Sequence, residues 1–502
     1  MGSEMCIRDS ASSFLTSWQT WFLLVAILLL GTYFRFLNLY GWDGISSRTG
    51  QHPDERFIVY TAYGLQVPRS FGEYLRSSCL VNGQIPNPRS TVDLAGRMLD
   101  PSSYEPGIDS GCNTLNPRNY GWSSMFVYGS LPTTLARVTA ELRYAGQQEL
   151  ISPLQMRDVG RTQSMLFDLG SIVLVFLIGR KLHGRESGLL AALLYACAVL
   201  PIQLSHFFTV DAATGFFTLL TIYWAVRIAR GAGVFSFIML GISVGGAMAC
   251  RITMATLGMT AVMAVLQRLW EQRQLEGHRQ GQRLRFSFDI PWGFVLKMGA
   301  LLMLSGFMAL LSFRVLAPDT FVGTSFFDIR PEPRFIDNIL KASGYVNGSI
   351  DAPFSQQWAS RTPFLFPFSN MVIWGMGMAL GLTGWLAWAV AAWQIVRWRV
   401  LRNLIPVAWI GFYFAWQGGQ FGMTMRYYAL LYGLFAVLAA WALVAIKDWM
   451  QHAPDAFSVM HTGGHAGQSH AMRIALLNFR PVSYTHLRAH ETDSYLVCRL
   501  LL

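Results

Sequence analysis

Long apolar runs separated by polar stretches dominate the pattern of residues along this chain of 502 residues. Each run is near the ~20 residues that a helix needs to cross a bilayer. Ten runs are visible, at 18–37, 156–179, 189–204, 212–226, 234–249, 253–269, 292–316, 371–396, 404–417 and 427–446. The pattern therefore predicts an all-α polytopic membrane protein with about ten transmembrane helices.

The composition agrees with a membrane protein. Hydrophobic residues make up 53% of the chain and charged residues only 13%, against roughly 25% charged in soluble domains. The net charge of +11 could indicate a nucleic-acid partner. The basic residues, however, lie in short loops between apolar runs and not on a face interleaved with stacking aromatics. We therefore expect a lipid bilayer as the partner and no nucleic acid.

The short basic loops define the orientation. They contain Arg180, Lys181, Arg185, Arg227, Arg230, Arg268, Arg273, Arg279, Arg283, Arg285, Arg397, Arg399 and Arg402. If the first span leaves the cytoplasm, all of these residues fall inside, as the positive-inside rule requires.

The opposite face receives two long polar segments, 38–155 and 318–370, and function is expected there because such loops are too long to be simple connectors. Within the first, residues 122–142 predict a helix at the outer membrane interface. An eleventh span there would place the later basic loops outside.

Both ends of the chain resemble translated sequencing-adapter sequence, over residues 1–10 and 482–502. We exclude them and expect a membrane domain at 11–446, followed by a cytoplasmic tail at 447–481 that truncation could have shortened. Cys79 and Cys112 share the first outer segment, where they could form a disulfide or remain free thiols. Both alternatives stay open.

The first candidate site is His52-Pro53-Asp54-Glu55-Arg56, soon after the first span. Two carboxylates at the water edge of a membrane can serve acid–base chemistry, since a partly desolvated cleft raises a carboxyl pKa toward the range of a general base. The alternative is a solvated loop in which acids and bases happen to alternate.

A second cluster lies on the same outer face, where His206 and Asp211 flank aromatic residues before the fourth span. Ionisable groups at membrane depth are costly and are usually functional or paired, although Asp211 could merely cap the next helix. Two cations, Arg251 and Arg426, occupy outer helix ends, the latter followed by Tyr427. Each could bind a phosphate or only reach toward lipid headgroups.

Several motifs in order resemble a known group of enzymes. They are HPDERF at 52–57, NP at 116–117, FVYGSLP at 126–132, VGR at 159–161, SHFFTVDA at 205–212, DAP and QW between 351 and 358, and RYY at 426–428. Over about 18–446 the chain resembles the GT-C class of polytopic glycosyltransferases, family 39-like, related to protein O-mannosyltransferases and the lipid A aminoarabinose transferase. Two departures are the residues after Arg426, where relatives often carry Leu-Pro, and Arg251, where many carry Lys.

The resemblance implies a GT-C helix bundle whose two large outward loops carry short interfacial helices. It also implies transfer of a sugar from a polyprenyl-phosphate carrier to a protein, glycan or lipid acceptor, with inversion, outside a prokaryotic plasma membrane. Catalysis would fall to Asp54, Glu55 and Asp211, with Asp54 as the general base. Substrate and phosphate binding would fall to His52, His206, Arg251, Arg426 and Tyr427.

A divalent metal ion is a further expectation, with Glu55 and His206 as candidate ligands, joined by His52 and Asp211. Their spacing is not a known ligand signature. The main alternative function is a multi-span transporter or flippase, which could use the same ionisable residues. The outer position of those residues, and the lack of repeated halves with interrupted helices, argue against it. A noncatalytic scaffold would not need so many acids and cations.

Overall fold

The computed structural model describes residues 16–41, 52–65, 67–68, 71, 74, 116–119, 126–144, 147, 150–279, 292–321, 327 and 329–460. Nearly all regular structure there is helical, and the one β contact in this part of the chain is an isolated bridge between Phe321 and Pro331. The predicted all-α class is therefore confirmed.

Fifteen α-helices follow one another along these residues. They are α1 Ser17–Phe36, α2 Pro53–Gly64, α3 Ser130–Arg143, α4 Pro153–His183, α5 Arg185–Ala196, α6 Val199–Ser205, α7 Asp211–Ala229, α8 Val234–Cys250, α9 Gly258–Arg279, α10 Trp292–Leu316, α11 Pro333–Asn347, α12 Leu365–Asn370, α13 Met378–Trp398, α14 Leu404–Gly418 and α15 Ala429–Met460. Short 3₁₀ turns include Pro117–Asn119, Ile252–Leu257, Pro318–Thr320 and Met425–Tyr428.

Six segments of the described chain are long and apolar enough to cross a membrane: Ser17–Phe36, Asp211–Ala229, Ile252–Gln272, Trp292–Leu316, Met378–Trp398 and Met425–Gln451. The pair α5 and α6, bent by 60° at its break, would be a seventh. The protein is thus a multi-pass membrane protein, whereas the predicted count of ten spans is not confirmed. Helix breaks account for part of the difference, because a single apolar run at 189–204 folds as two helices.

The chain divides into two compact units, Met1–Ala439 and Ala440–Leu502, with the boundary inside α15. The first unit contains α1 to α14 and every residue of the site described below. In the second unit the described residues continue α15 to Met460.

Helix α4 is 31 residues long and contributes Arg161 to the site described below. Its start is fixed by a capping box, in which Ser152 and Gln155 exchange side-chain hydrogen bonds with each other's backbone, and by Pro153 in the first turn, where a missing N–H costs nothing. Arg180, Lys181 and His183 fill its last turn, which suits the negative end of the helix dipole. The sequence therefore sets both ends of this helix.

The two outer segments also contain helices. The interfacial helix predicted at 122–142 corresponds in the described residues to α3, which begins later and runs to Arg143. The second outer segment contains α11, whose N-terminus is capped by Glu332, and the short α12. The possible disulfide between Cys79 and Cys112, and both adapter-like ends, lie outside the described residues.

Candidate active site

Helix α2 places the first two candidate acids in its opening turn. Pro53 is its first residue and His52 its extended N-cap, so the motif predicted as a possible solvated loop instead starts a helix. Asp54 and Glu55 are favoured there, since the N-terminus of a helix carries a partial positive charge. Because successive helical residues point about 100° apart, the two carboxylates face different surroundings.

Glu55 is completely buried and fully engaged. Its two carboxylate oxygens accept hydrogen bonds from Nε and Nη2 of Arg161, both at 2.7 Å, and one of them also accepts the backbone N–H of Phe208 at 2.8 Å. This one side chain thus joins α2, α4 and the loop before α7. The geometry supports an anchoring role.

Asp54 lies at the edge of the buried region, with 17% of its side chain exposed. Its carboxylate forms an ion pair with Nη1 of Arg426. Burial first, and then the negative charge of Asp54, raise the pKa of the Tyr128 hydroxyl. The sequence analysis did not list Tyr128 as a site residue. Asp54 therefore combines charge partners with access to solvent, as a proton acceptor requires.

Asp211 is the first residue of α7 and is almost fully buried. One carboxylate oxygen, Oδ1, accepts a hydrogen bond from Nη2 of Arg251 at 2.9 Å. The other oxygen, Oδ2, is buried and has no hydrogen-bond partner within the described part of the chain. An unpaired buried carboxylate oxygen is costly, so it is available to a ligand group or an ordered water.

Tyr427 connects the two ion pairs. Its ring centroid lies 4.7 Å from the Cζ atom of Arg251 and 5.6 Å from that of Arg426. Arg426 also interacts electrostatically with Asp211 as well as Asp54. The structure therefore brings these five candidate residues into one network at the starts of α2, α7 and α15 and the end of α8.

The two arginines lie beside the starts of candidate spans, as expected of cations at helix ends. Arg251 has extended backbone between the last residue of α8 and the candidate span Ile252–Gln272. Its guanidinium also interacts electrostatically with Tyr413 on α14. Arg426 lies in a 3₁₀ turn just before α15. Both cations therefore occupy irregular backbone next to helix ends.

The two histidines have different surroundings. The ring of His52 packs on that of Phe207, with centroids 5.0 Å apart, and burial lowers the pKa of His52 below its ordinary value. The ring nitrogens of His206 lie 2.8 Å from the carbonyl oxygen of Ile202 and 3.1 Å from that of Leu37. His206 thus ties α6 to the end of α1.

The expected metal ligands do not form a ligand set. Among the described residues no group of three or more His, Cys, Asp and Glu side chains is spaced to bind a metal ion. Glu55 is occupied by Arg161, and both His206 nitrogens face carbonyl oxygens. The donors present therefore do not fit a metal in this conformation.

Sequence reasoning missed three polar residues near the site: Arg161, which pairs with Glu55, and Tyr128 and Tyr413, which interact electrostatically with Asp54 and Arg251. The first two lie in the VGR and FVYGSLP motifs, so their signal was visible, but nothing local shows which acid each contacts. Tyr413 lies in an apolar run that carries no motif. Tertiary contact alone identifies it.

Comparison with known proteins finds a family model that matches part of the chain. Residues 155–276 match the family model of dolichyl-phosphate-mannose-protein mannosyltransferases. This range contains Arg161, His206, Asp211 and Arg251, whereas Asp54 and Arg426 lie outside it. The match confirms the resemblance to GT-C glycosyltransferases, the class of membrane glycosyltransferase expected from the motifs. No curated protein matches the chain.

Among solved structures, the apo form of the Archaeoglobus fulgidus oligosaccharyltransferase is 14% identical with a TM-score of 0.49, covering 93% of this chain and 55% of that chain. The same organism's AglB with an inhibitory peptide and a dolichol-phosphate gives 15% identity, the same coverages and a TM-score of 0.48. ArnT from Cupriavidus metallidurans bound to undecaprenyl phosphate is 14% identical, with a TM-score of 0.45, covering 92% of this chain and 70% of that chain. The chain spans about half the length of the archaeal enzyme. Likenesses at these scores carry no functional conclusion.

Proposed function

We propose that this protein is a membrane glycosyltransferase that moves a sugar from a polyprenyl-phosphate carrier to an acceptor hydroxyl on the outer face of a prokaryotic plasma membrane. The observation that carries the proposal is the network in which Asp54–Arg426 and Asp211–Arg251 meet at Tyr427. The family match over residues 155–276 supports a lipid-phosphate donor. The outer face is supported by the positive-inside rule, which would place the short basic loops in the cytoplasm.

The reaction needs a base, and Asp54 suits that role. Its carboxylate accepts the proton of the acceptor hydroxyl while the hydroxyl oxygen forms a bond to the anomeric carbon. The bond from that carbon to the phosphate oxygen breaks, and a single displacement inverts the anomeric centre. A general base of this kind contributes roughly 10²–10⁴ in rate.

The leaving group is a polyprenyl phosphate, whose charge rises from one negative charge to two as the bond breaks. Arg251 and Arg426 can offset the added charge, because charge-assisted hydrogen bonds from guanidinium groups match phosphate oxygens. In the described conformation both arginines pair with carboxylates. The phosphate would therefore share Arg426 with the base, which places base and leaving group beside one guanidinium.

The acceptor could be a protein, a glycan or a lipid, and the sugar a hexose or a pentose. Asp211, with one unpaired oxygen, would orient Arg251 and bind a polar group of the donor. His52 would contribute to substrate binding. Glu55 and His206 would hold together the helices next to these residues. The steps proposed here use the side chains named above and no metal ion.

The test uses the purified full chain in lipid nanodiscs with a panel of polyprenyl-phosphate sugars and crude envelope acceptors. Release of polyprenyl phosphate, followed by mass spectrometry, identifies the donor, and the mass added to the acceptor identifies the product. Asp54→Asn should lower release by about a hundredfold or more. The matched control is Asp337→Asn, an exposed acid on α11 that pairs with Lys341, which should retain wild-type release.

Two outcomes would contradict the proposal. Equal turnover in Asp54→Asn and wild type would remove Asp54 from the role of base. No release from any donor, together with uptake of labelled solute into proteoliposomes, would instead indicate a transporter.

A further inference from the structure

A second cluster of charged and polar side chains lies inside the helix bundle, and the proposed mechanism does not use it. Nε of Arg35 on α1 donates to Oδ2 of Asp168 on α4 at 2.5 Å, and the hydroxyl of Tyr195 on α5 donates to Oδ1 at 2.6 Å. Nη1 of Arg35 donates to the carbonyl oxygen of Ala196 at 2.9 Å. The cluster therefore ties α1, α4 and α5 together.

A cavity of about 20 Å³ is lined both by this cluster and by the candidate active site. Asp168 and Tyr195 line it from α4 and α5. Asp211 and Gly215 line it from α7, where residues one turn apart share a face. The rest of its wall comes from α6 and the starts of α7 and α15. Asp211 thus has the ion-paired active site on one side and this cavity on the other.

Asp211 brings an unsatisfied polar atom to the cavity. Its Oδ1 accepts from Arg251, whereas its Oδ2 is buried and has no hydrogen-bond partner within the described ranges. Because Oδ1 is directed toward Arg251, Oδ2 is the oxygen available on the cavity side. Asp211 is 3% exposed, and Asp168 and Tyr195 are each 4% exposed. Since an unpaired buried oxygen is costly, the site favours a molecule that donates a hydrogen bond.

The charges around the cavity favour a neutral molecule over a cation. The Asp168 carboxylate is paired with Arg35. The Asp211 carboxylate is paired with Arg251. An added cation would leave an uncompensated buried charge, which is costly. The cavity of about 20 Å³ exceeds the roughly 10–15 Å³ that one water molecule needs, and its polar lining supplies the partners that a buried water requires.

We propose that this cavity binds one ordered water molecule, which donates one hydrogen bond to Oδ2 of Asp211 and the other to the Asp168–Tyr195 pair. A carboxylate has several acceptor positions, so Asp211 can still bind Arg251 and a polar group of the sugar donor. The water links the inner cluster to the active site and fixes the orientation of Asp211. Tyr195 is then a positioning residue that acts through the water. Its effect on turnover rests on the proposed function, whereas the water site does not.

A structure of the wild-type chain in nanodiscs, at a resolution that shows ordered water, tests the site directly. Without any donor present, one density peak should lie within about 3.2 Å of Oδ2 of Asp211 and of an oxygen of Tyr195 or Asp168. The absence of this peak would overturn the inference. A peak that requires bound donor, or sodium in the buffer, would also overturn it, because a substrate hydroxyl or a cation would then occupy the site.

Gly215→Ala fills the cavity from α7. A Cβ on Gly215 would meet nothing within 4 Å, so the methyl group should displace the water without moving protein atoms. The density peak should disappear, and kcat/KM should fall roughly tenfold or more, as for the loss of one hydrogen bond to a charged group. The matched control is Gly306→Ala on α10, where a Cβ also meets nothing within 4 Å. It should retain wild-type turnover.

Melting temperatures distinguish a water site from an apolar void. Alanine is a better helix former than glycine, so Gly306→Ala should melt at or above the wild-type temperature. Gly215→Ala should melt below Gly306→Ala, because a methyl group replaces a water that satisfied a carboxylate oxygen. If Gly215→Ala melts at or above the control and keeps wild-type turnover, the cavity is an apolar void and the inference fails.

Tyr195→Phe tests the positioning role by removing only the hydroxyl. It should lower kcat/KM severalfold in wild type but have little further effect in the Gly215→Ala background, where the water is already displaced. The control is Tyr33→Phe on α1, where the ring is exposed, and it should have no effect in either background. Equal losses from Tyr195→Phe in both backgrounds would show that Tyr195 does not act through the water.

The density peak also separates this inference from the proposed function, because it requires no turnover. If wild type transfers no sugar but shows the peak, and Gly215→Ala lacks it, the water site stands and the proposed reaction fails. If wild type transfers sugar but shows no peak, the reaction stands and the water site fails.

Discussion

Asp54 and Glu55 are neighbours in the chain, but their side chains lie in two different environments. Asp54 sits at the outer edge of the site, partly exposed and paired with Arg426, whereas Glu55 is buried against Arg161 and the backbone of Phe208. The difference follows from helix geometry, since adjacent residues of α2 point about 100° apart. Only one of two adjacent acids can then face the site.

The comparison teaches which kind of acid each environment can support. A carboxylate whose two oxygens both accept hydrogen bonds from a buried guanidinium is not accessible to a substrate hydroxyl. A partly exposed carboxylate with partners on one side remains accessible and can accept the proton. We therefore separate the candidate base, Asp54, from the anchor, Glu55, although the sequence listed both as catalytic.

The largest expected effect is on the anchor. Glu55→Gln leaves Arg161 buried without a counter-charge, which costs about 3–5 kcal/mol of stability, whereas Asp54→Asn should cost less than about 1 kcal/mol because its surroundings are partly hydrated. Thermal melting of both purified variants in the same nanodiscs measures the difference. Wild-type melting of Glu55→Gln combined with complete loss of sugar transfer would return Glu55 to the catalytic residues.

An intermediate effect is expected at Gly160, which lets the ring of Phe208 approach α4. A Cβ on Gly160 would lie 2.1 Å from that ring, so Gly160→Ala should displace the peptide that binds Glu55 and cost about 1–3 kcal/mol. Gly299→Ala on α10, where nothing lies within 4 Å, should be neutral or slightly stabilising. Similar melting temperatures for the two variants would show that this packing does not support the anchor.

The smallest effect concerns pH and the N-cap of α2. Burial lowers the pKa of His52, so the unfolded chain takes up a proton at a higher pH than the folded chain. The contribution of neutral His52 is therefore present above about pH 6.5, its ordinary value, and is lost as the pH falls through the lower folded-state pKa.

Melting temperatures at pH 7.5 and pH 5 measure this effect in wild type and His52→Gln. The variant should lose less stability than wild type on acidification. An identical loss would assign the acid sensitivity to groups other than His52.

Much of the fold was predictable because helices in a membrane depend on local composition. The runs at 292–316 and 212–226 correspond closely to α10 and α7, since each buries its own backbone polar groups. Breaks between helices were less predictable. The run at 189–204 divides between α5 and α6, and no charged residue marks the position of this break in the sequence.

The candidate site was predictable in part. Asp54, Asp211, Arg251, Arg426 and Tyr427 were chosen because acids and cations at membrane depth are costly, and the structure brings them together. Tyr128 and Tyr413 were not chosen, since a tyrosine among apolar residues is ordinary in a membrane protein. Their charged neighbours, Asp54 and Arg251, lie far from them in the chain.

The sequence by itself determined the helical membrane class and the identity of most charged candidates, because apolar runs and charge placement are local properties. Only the tertiary structure decided which arginine pairs with which acid, and that Glu55 is enclosed while Asp54 remains accessible. Pairing depends on contacts between residues more than a hundred positions apart, such as Glu55 with Arg161, and local patterns do not encode those contacts.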